Sequence, residues 1–396
     1  MRGKWTHAAI IGCLVLFLAG VLAAGPATAA QPVVKEWKIP SLIFLTGPFA
    51  GFGKQVKWAT DEAVAEINAA GGVAGRPIVL EWHDTGIDPA KAAAEMSNVV
   101  RGSLVIFGPV GSPPTKGAMP IVAREKAFAM PVSSGAEVAS EFFPYAVDFL
   151  PPATAHTPYT VPGWLKANPR IKTVVQFLFP MDPTFLIDCD LEKKTLESAG
   201  VKVLPRVELS ETGVDMSSVV VKAMTGKPDG FLFITLPMDS AKIILELEKR
   251  GVKDKSGILL SPLEDDPSLY EVGKGHLDGA YLRHFLNMES KAPKWQALYA
   301  KYRKAFPEFK APTLGVPYNY DMVYMFKAAV EKTGITGDPE KLTEERETLR
   351  QYCRNVKGFP GVQETFDMVD GLATSKAFLF TIQNNEKKLL QTYVPK

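Results

Sequence analysis

The stretch EINAAGGVAGRPIVLEWHD (residues 66–84) decides between two kinds of fold. Apolar residues precede its glycines at helical spacing, and an extended run follows Pro77, so the glycines lie after a helix and before a strand. A phosphate cradle needs the opposite order, because only a helix N-terminus points free N–H groups at an anion. The cluster therefore predicts a turn, with Gly71 or Gly72 capping the helix and Arg76 on the solvated surface.

A loop in the order strand, glycines, helix lies just upstream, with the sequence TGPFAGFGK (residues 46–54). It departs from the P-loop pattern, since Pro48 replaces the first glycine and Gln55 replaces the Ser or Thr. Val56 breaks the GxGxxG spacing. The loop either offers backbone amides to a ligand or is a connecting turn without ligand contact.

Strand and helix patterns alternate on both sides of this region. Helices are predicted over residues 88–100, 116–126, 185–198 and 240–249, with short apolar runs between them, and this order predicts parallel sheets covered by helices. The segment FLPPATAHTPYTVPG (residues 149–163) carries four prolines and marks a domain boundary. A second α/β series follows it. The chain ends in a predicted hairpin that turns at Asn384-Asn385.

The first 30 residues are typical of a secretory signal peptide. Arg2 and Lys4 precede an apolar run, and Ala27-Thr28-Ala29 forms a small-x-small pattern, so cleavage is expected near Ala29 or Ala30. A membrane anchor is the alternative, but the run falls short of the roughly 20 residues that a span needs. The sequence thus predicts an exported protein of the periplasm.

Composition and cysteine usage exclude several functional classes. The chain has 45 basic and 43 acidic side chains, and this balance argues against nucleic acid as a partner. Cys189 and Cys353 remain after the signal, and two buried thiols are favoured over a disulfide because a chain of this size needs no cross-link. No Cys or His spacing indicates a metal or cofactor. No GxSxG motif or evident nucleophile–base pair indicates an enzyme.

Candidate ligand-binding residues come from the loops after the predicted strands, because ligands of open α/β sheets bind outside the carboxyl ends of strands. Each has a structural alternative as a helix cap, a core side chain or a solvated group. The candidates are Gly47, Phe49, Ser112, Ser133, Ser134, Gly135, Phe185, Thr235, Glu264 and Tyr318.

Residues 46–92, which run from TGPF to DPAKA, resemble the opening of the periplasmic ligand-binding proteins of branched-chain amino acid ABC transporters. Later segments agree with that family in order. They are FGPVGS (107–112), MPVSS (130–134), YNYDMVYMFKAAVEKTG (318–334) and FPGVQETFD (359–367). The resemblance implies a type I periplasmic-binding fold, with two doubly wound parallel-sheet lobes joined by three crossovers.

The resemblance also implies lobe limits and a function. Lobe 1 would comprise residues 31–150 and 284–357, and lobe 2 residues 151–283 and 358–396. The chain would be a monomer that captures a small carboxylate, with a branched-chain or other hydrophobic amino acid preferred. It would deliver this ligand to ABC permease subunits without catalysis. A ligand sensor and an exported enzyme are the rival functions.

The implied ligand contacts divide between the lobes. In lobe 1, small hydroxyls and backbone N–H groups at Ser112 and the Ser133-Ser134-Gly135 turn would hold the ligand carboxylate. In lobe 2, Phe185 would pack on the ligand and Glu264 would accept from its ammonium. SPLEDD (261–266) departs from the family's glycine-flanked acid, so Pro262 or Asp265 can take the critical position instead. An aromatic or aliphatic carboxylate or amide therefore stays open as the ligand.

Overall fold

The computed structural model describes most of the chain beyond its first 33 residues. The described residues are 34–395 except Pro48, 134–143, Met181, 210–214 and Lys310. The predicted signal peptide and the candidates Ser134 and Gly135 lie outside them. In the described part, no helix combines the length and the apolarity needed to cross a membrane.

Among the described residues, the first sheet has four parallel strands in the order β2-β1-β3-β4. These strands are β1 (Trp37–Ile43), β2 (Ile78–Asp84), β3 (Ile106–Val110) and β4 (Ala129–Val132). The helices between them are α1 (Ala50–Ala69), α2 (Pro89–Val99) and α3 (Ser112–Arg124). The central strand β3 is buried along its whole length, as expected for a strand with helices on both faces.

The glycine cluster is a turn, as predicted. Helix α1 ends at Ala69, Gly71 and Gly72 have positive φ of 101° and 76°, and β2 begins at Ile78. The predicted exposure of Arg76 is wrong. Its side chain is only 5% exposed, because Nη1 donates to the Thr336 carbonyl at 2.6 Å and the guanidinium lies over the Trp37 ring.

Helix α3 begins a turn earlier than the sequence indicates, at Ser112 rather than near residue 116. Pro113 and Pro114 lie in its first turn, where a missing N–H costs no intrahelical hydrogen bond. The prolines therefore start this helix, although they resemble a loop in the sequence.

In the described part of the chain the second sheet has eight strands, in the order β16 (Glu386–Tyr393), β15 (Ala377–Gln383), β10, β9, β8, β5 and β6, with β7 paired to β5. Its parallel strands are β5 (Thr173–Leu178), β6 (Lys202–Val203), β7 (Val207–Glu208), β8 (Gly230–Ile234), β9 (Ile258–Leu260) and β10 (Tyr281–His284). The helices of this part are α4 (Thr157–Ala167), α5 (Pro183–Ser198), α6 (Met216–Met224), α7 (Pro237–Lys249) and α8 (Pro267–Val272). Apolar side chains of its strands and helices form a core separate from that of the first sheet.

The chain then returns to the first sheet. Three helices follow β10, and they are α9 (Pro293–Ala305), α10 (Gly315–Thr333) and α11 (Leu342–Asn355). Phe326 of α10 packs edge-on against Trp37 of β1 and Phe107 of β3, with centroid distances of 5.8 Å in both pairs. These helices therefore belong to the first core, although the second sheet separates them from it in sequence.

The tail crosses back to the second sheet. Two short strand pairs come first, and they are β11 (Phe359–Pro360) with β12 (Thr365–Phe366) and β13 (Met368–Val369) with β14 (Leu372–Ala373). The hairpin of β15 (Ala377–Gln383) and β16 (Glu386–Tyr393) then joins β10, turning at Asn384 and Asn385 as predicted. The chain thus passes between the two sheets three times, which confirms the fold class. The residue limits of the lobes stay a prediction.

Candidate functional site

A pocket lies at the carboxyl ends of the parallel strands of the second sheet. Open α/β sheets place their ligands at this edge. Four segments of the second sheet and its approach contribute, and Phe285 and Leu314, which pack with the first core, complete the wall. The lining residues are Pro151, Ala153, His156, Thr184, Phe185, Asp188, Ile234, Ser261, Pro262, Leu263, Phe285 and Leu314.

The walls of the pocket are mostly apolar, and two phenylalanines dominate them. Phe185 is half-buried in the first turn of α5. Phe285, directly after β10, is 6% exposed, and its ring packs against His156 at 5.2 Å and Tyr318 at 6.2 Å between centroids. The pocket therefore fits a small ligand with an apolar body.

Asp188 is an acidic group of this pocket, and it is held in place by two donors. Its Oδ1 accepts from Thr157 Oγ1 and its Oδ2 from Arg283 Nη2, both at 2.8 Å. Burial raises the pKa of Asp188, but the charge of Arg283 and the hydrogen bonds from Arg283 and Thr157 together hold this pKa below the ordinary value. Asp188 is thus a carboxylate at neutral pH, with lone pairs left to accept from a ligand.

Arg283 is fully buried behind Asp188, and all five of its N–H donors have acceptors. Nε and Nη2 reach Glu192 Oε1 at 3.1 and 2.6 Å, Nη2 also reaches Asp188, and Nη1 reaches His156 Nδ1 at 3.0 Å and Thr157 Oγ1 at 3.2 Å. Burial raises the pKa of Glu192 to about 7, although the charge of Arg283 acts to lower it. The guanidinium is therefore not available to a ligand carboxylate.

Among the predicted residues of the second lobe, Phe185 lines the pocket, whereas Glu264 and Thr235 lie behind it. Glu264 is 0% exposed and accepts from four groups of the protein. The donors are Thr235 N at 2.7 Å, Ser240 Oγ at 3.3 Å, Ser261 N at 2.8 Å and Ser261 Oγ at 2.5 Å. Burial raises its pKa to about 8. Glu264 thus ties the ends of β8 and β9 together, and its role as acceptor for a ligand ammonium stays a prediction.

In the first lobe, the described candidates do not line this pocket. Ser133 donates through Oγ to Asp148 Oδ2 at 2.6 Å and through its amide to Oδ1 at 3.2 Å. Ser112 is buried at the start of α3, where Pro113 and Pro114 reduce the number of free N–H groups. The ligand roles of Ser112 and Ser133 stay predictions.

The three remaining candidates also lie outside the pocket lining. Gly47 is exposed with φ of 86°, and the ring of Phe49 packs against that of Phe44 at 6.4 Å. Tyr318 is 9% exposed and packs behind Phe285. The structure thus groups Phe185 with Phe285 and, one layer behind, Tyr318.

Sequence analysis missed Asp188, His156 and Thr184. Asp188 follows Phe185 by three residues on α5, so helical spacing places both on one face and was a usable signal. His156 lies in the proline-rich boundary, where no local pattern marks it. Its position depends on Arg283, which is 127 residues away in sequence.

Comparisons with known proteins agree with this architecture. The Leu/Ile/Val-binding protein of Citrobacter freundii is 32% identical over 126 residues, which are 32% of this chain and 31% of that protein. The alignment therefore spans less than a third of the relative's length.

Solved structures match over nearly the whole fold. A leucine binding protein from Thermotoga maritima matches with a TM-score of 0.74 at 21% identity, over 90% of this chain and 99% of that one. A solute binding protein of an ABC transporter from Rhodopseudomonas palustris BisB5, in complex with 3,4-dihydroxy benzoic acid, matches with a TM-score of 0.77 at 16% identity, over 91% and 98%. The family model described as periplasmic binding protein matches residues 36–387. The chain therefore belongs to the periplasmic binding protein family.

Proposed function

We propose that this chain is an extracytoplasmic solute-binding protein of an ABC importer. Two lobes, residues 31–150 with 284–357 and residues 151–283 with 358–396, capture one small ligand and deliver it to permease subunits. The observation that carries this proposal is the pocket at the edge of the second sheet, whose wall Leu314 comes from the first core. A ligand that touches both lobes favours the closed arrangement of a hinged pair.

The proposed ligand is a small carboxylate with an apolar body. The phenylalanine walls fit the side chain of a hydrophobic amino acid or the ring of an aromatic acid. The name of the Citrobacter protein gives leucine, isoleucine and valine as its ligands, and the name of the Thermotoga protein gives leucine. The Rhodopseudomonas protein was solved in complex with an aromatic acid. We place the ligand carboxylate against lobe 1, at Ser112 and the turn after Ser133, because Arg283 of lobe 2 is engaged.

The proposed protein works as a monomer in the periplasm and releases its ligand unchanged. Ser261 and His156 both line the pocket, but they do not form a nucleophile–base pair. Ser261 Oγ donates to Glu264, and His156 Nδ1 accepts from Arg283. Binding without chemistry is the function that these contacts support.

The test is a thermal-shift screen of the purified protein with leucine, isoleucine, valine, phenylalanine, benzoate, 4-hydroxybenzoate and 4-methylpentanoate. A true ligand at 100 times its Kd is expected to add about 2.7 kcal/mol to the free energy of unfolding. Chromatography of the incubated ligand is expected to return it unchanged. A screen in which no compound shifts the transition, or in which the bound compound is converted to a product, would contradict the proposal.

A further inference from the structure

The floor of the pocket is formed by His156, Thr184 and Asp188. Asp188 is a hydrogen-bond acceptor and His156 a donor, and both are held in place by the buried cation Arg283. Arg283 donates to Asp188 Oδ2 at 2.8 Å and to His156 Nδ1 at 3.0 Å. Thr157 Oγ1 lies 2.8 Å from Asp188 Oδ1 and 3.3 Å from His156 Nδ1. Because Asp188 and His156 share both partners, they are fixed next to each other.

The tautomer of His156 follows from its partner. An arginine N–H can only donate, so Nδ1 must be the acceptor and the imidazole proton must be on Nε2. Burial, together with the charge of Arg283, lowers the pKa of His156 to about 3, so the ring is neutral at neutral pH. Among the described residues Nε2–H has no hydrogen-bond partner, so it is the polar group of His156 that remains for a ligand.

Thr184 adds an unpaired hydroxyl to the same pocket. It is 5% exposed, and its Oγ1 has no hydrogen-bond partner among the described residues. Thr184 lies four residues before Asp188 on α5, so both side chains share one face of the helix. An unpaired buried hydroxyl is unfavourable, and a ligand group that bonds to it recovers part of this cost.

We propose that this floor recognises a hydroxyl group on the ligand, which donates to Asp188, accepts from His156 Nε2–H and bonds to Thr184 Oγ1. The inference rests on the proposed solute-binding function and narrows its ligand class to phenol-bearing aromatic acids, with the ring between Phe185 and Phe285. A hydroxyl matches the floor because it both donates and accepts. An ammonium has no lone pair, so it would satisfy Asp188 but leave His156 Nε2–H facing a positive charge.

The test compares matched ligand pairs by isothermal titration calorimetry at neutral pH. The pairs are 4-hydroxybenzoate with benzoate, tyrosine with phenylalanine, and leucine with 4-methylpentanoate. The wild-type protein is expected to bind 4-hydroxybenzoate at least about tenfold more tightly than benzoate, since the phenol adds a hydrogen bond to a charged acceptor. The ammonium of leucine is expected to give no such gain over 4-methylpentanoate.

Two variants assign the effect to the floor. Thr184→Val removes a hydroxyl without a partner, so it is expected to fold normally and to reduce the hydroxyl preference to about threefold or less. Asp188→Asn is expected to reduce the hydroxyl preference as well. Thr195→Val is the matched control, because Thr195 is on the same helix but bonds to the Leu191 carbonyl and does not line the pocket.

The outcomes separate this inference from the proposed function. Equal binding of 4-hydroxybenzoate and benzoate would contradict hydroxyl recognition by the floor, and so would a hydroxyl preference that survives both floor variants. Either result would leave the proposed solute-binding function intact. Binding of leucine without binding of 4-hydroxybenzoate would have the same two consequences. Failure of all six compounds to bind would count against both.

Discussion

Replacing Arg283 with methionine is expected to lower the free energy of unfolding by about 3–5 kcal/mol, because the change leaves two buried carboxyl groups without their shared cation. Asp188 and Glu192 both bond to this guanidinium, and Arg283 itself is 0% exposed. Methionine fills a similar volume, so the loss of stability comes from the unpaired carboxyl groups rather than from a cavity. Urea denaturation of both proteins at neutral pH measures the difference.

The matched control for this experiment is Arg170→Met. Arg170 pairs with Asp254 at 2.6 Å, but the two side chains are 48% and 64% exposed. Exposed pairs contribute about 0–1 kcal/mol, so this variant is expected to stay close to wild type. Similar losses in the two variants would show that the buried network does not hold this part of the fold.

Replacing Phe185 with alanine is expected to weaken ligand binding by about ten- to a hundredfold. An aromatic side chain buries up to 150–250 Å² in a contact, and Phe185 is half-buried while it lines the pocket. Part of its surface is therefore still exposed and can be covered by a ligand. Titration calorimetry with the compound that the thermal-shift screen selects measures the loss.

Leu186→Ala is the matched control for Phe185. Leu186 packs on the same small cluster of Leu178, Cys189 and Ile234, but it does not line the pocket. It is expected to lose stability without a comparable loss of affinity. If both variants weaken binding equally, the loss of affinity comes from a disturbed helix α5 and not from the lost contact between the Phe185 ring and the ligand.

The order of strands and helices was predictable because it rests on local patterns. Helical spacing, Gly71 and Gly72 after α1, and the asparagine turn at the end of the chain each specify their element within a few residues. Arg76 shows where this information ends. Its burial depends on the Thr336 carbonyl, 260 residues away in sequence, and no local pattern contains that contact.

The site was less predictable, because its floor is assembled by packing between segments that are distant in sequence. His156, Asp188 and Arg283 come from three such segments, which meet because α4 packs against both α5 and β10. Glu264 had a readable signal of a different kind. Ser261 and Glu264 form the S-x-x-E pattern of a capping box, which indicates an internal partner for this acid.

Closure of the two lobes on a ligand is the central claim, and a distance measurement across the cleft tests it most directly. Cys189 and Cys353 are each 1% exposed, so spin labels would attach to cysteines introduced at the exposed residues Lys54 and Met238, at the starts of α1 and α7. Pulsed electron paramagnetic resonance would then compare the protein alone with the protein saturated by 4-hydroxybenzoate or leucine. With the compound that binds, the distance between the labels is predicted to become shorter and its distribution narrower. An unchanged distribution, with calorimetry showing the ligand bound, would contradict the account.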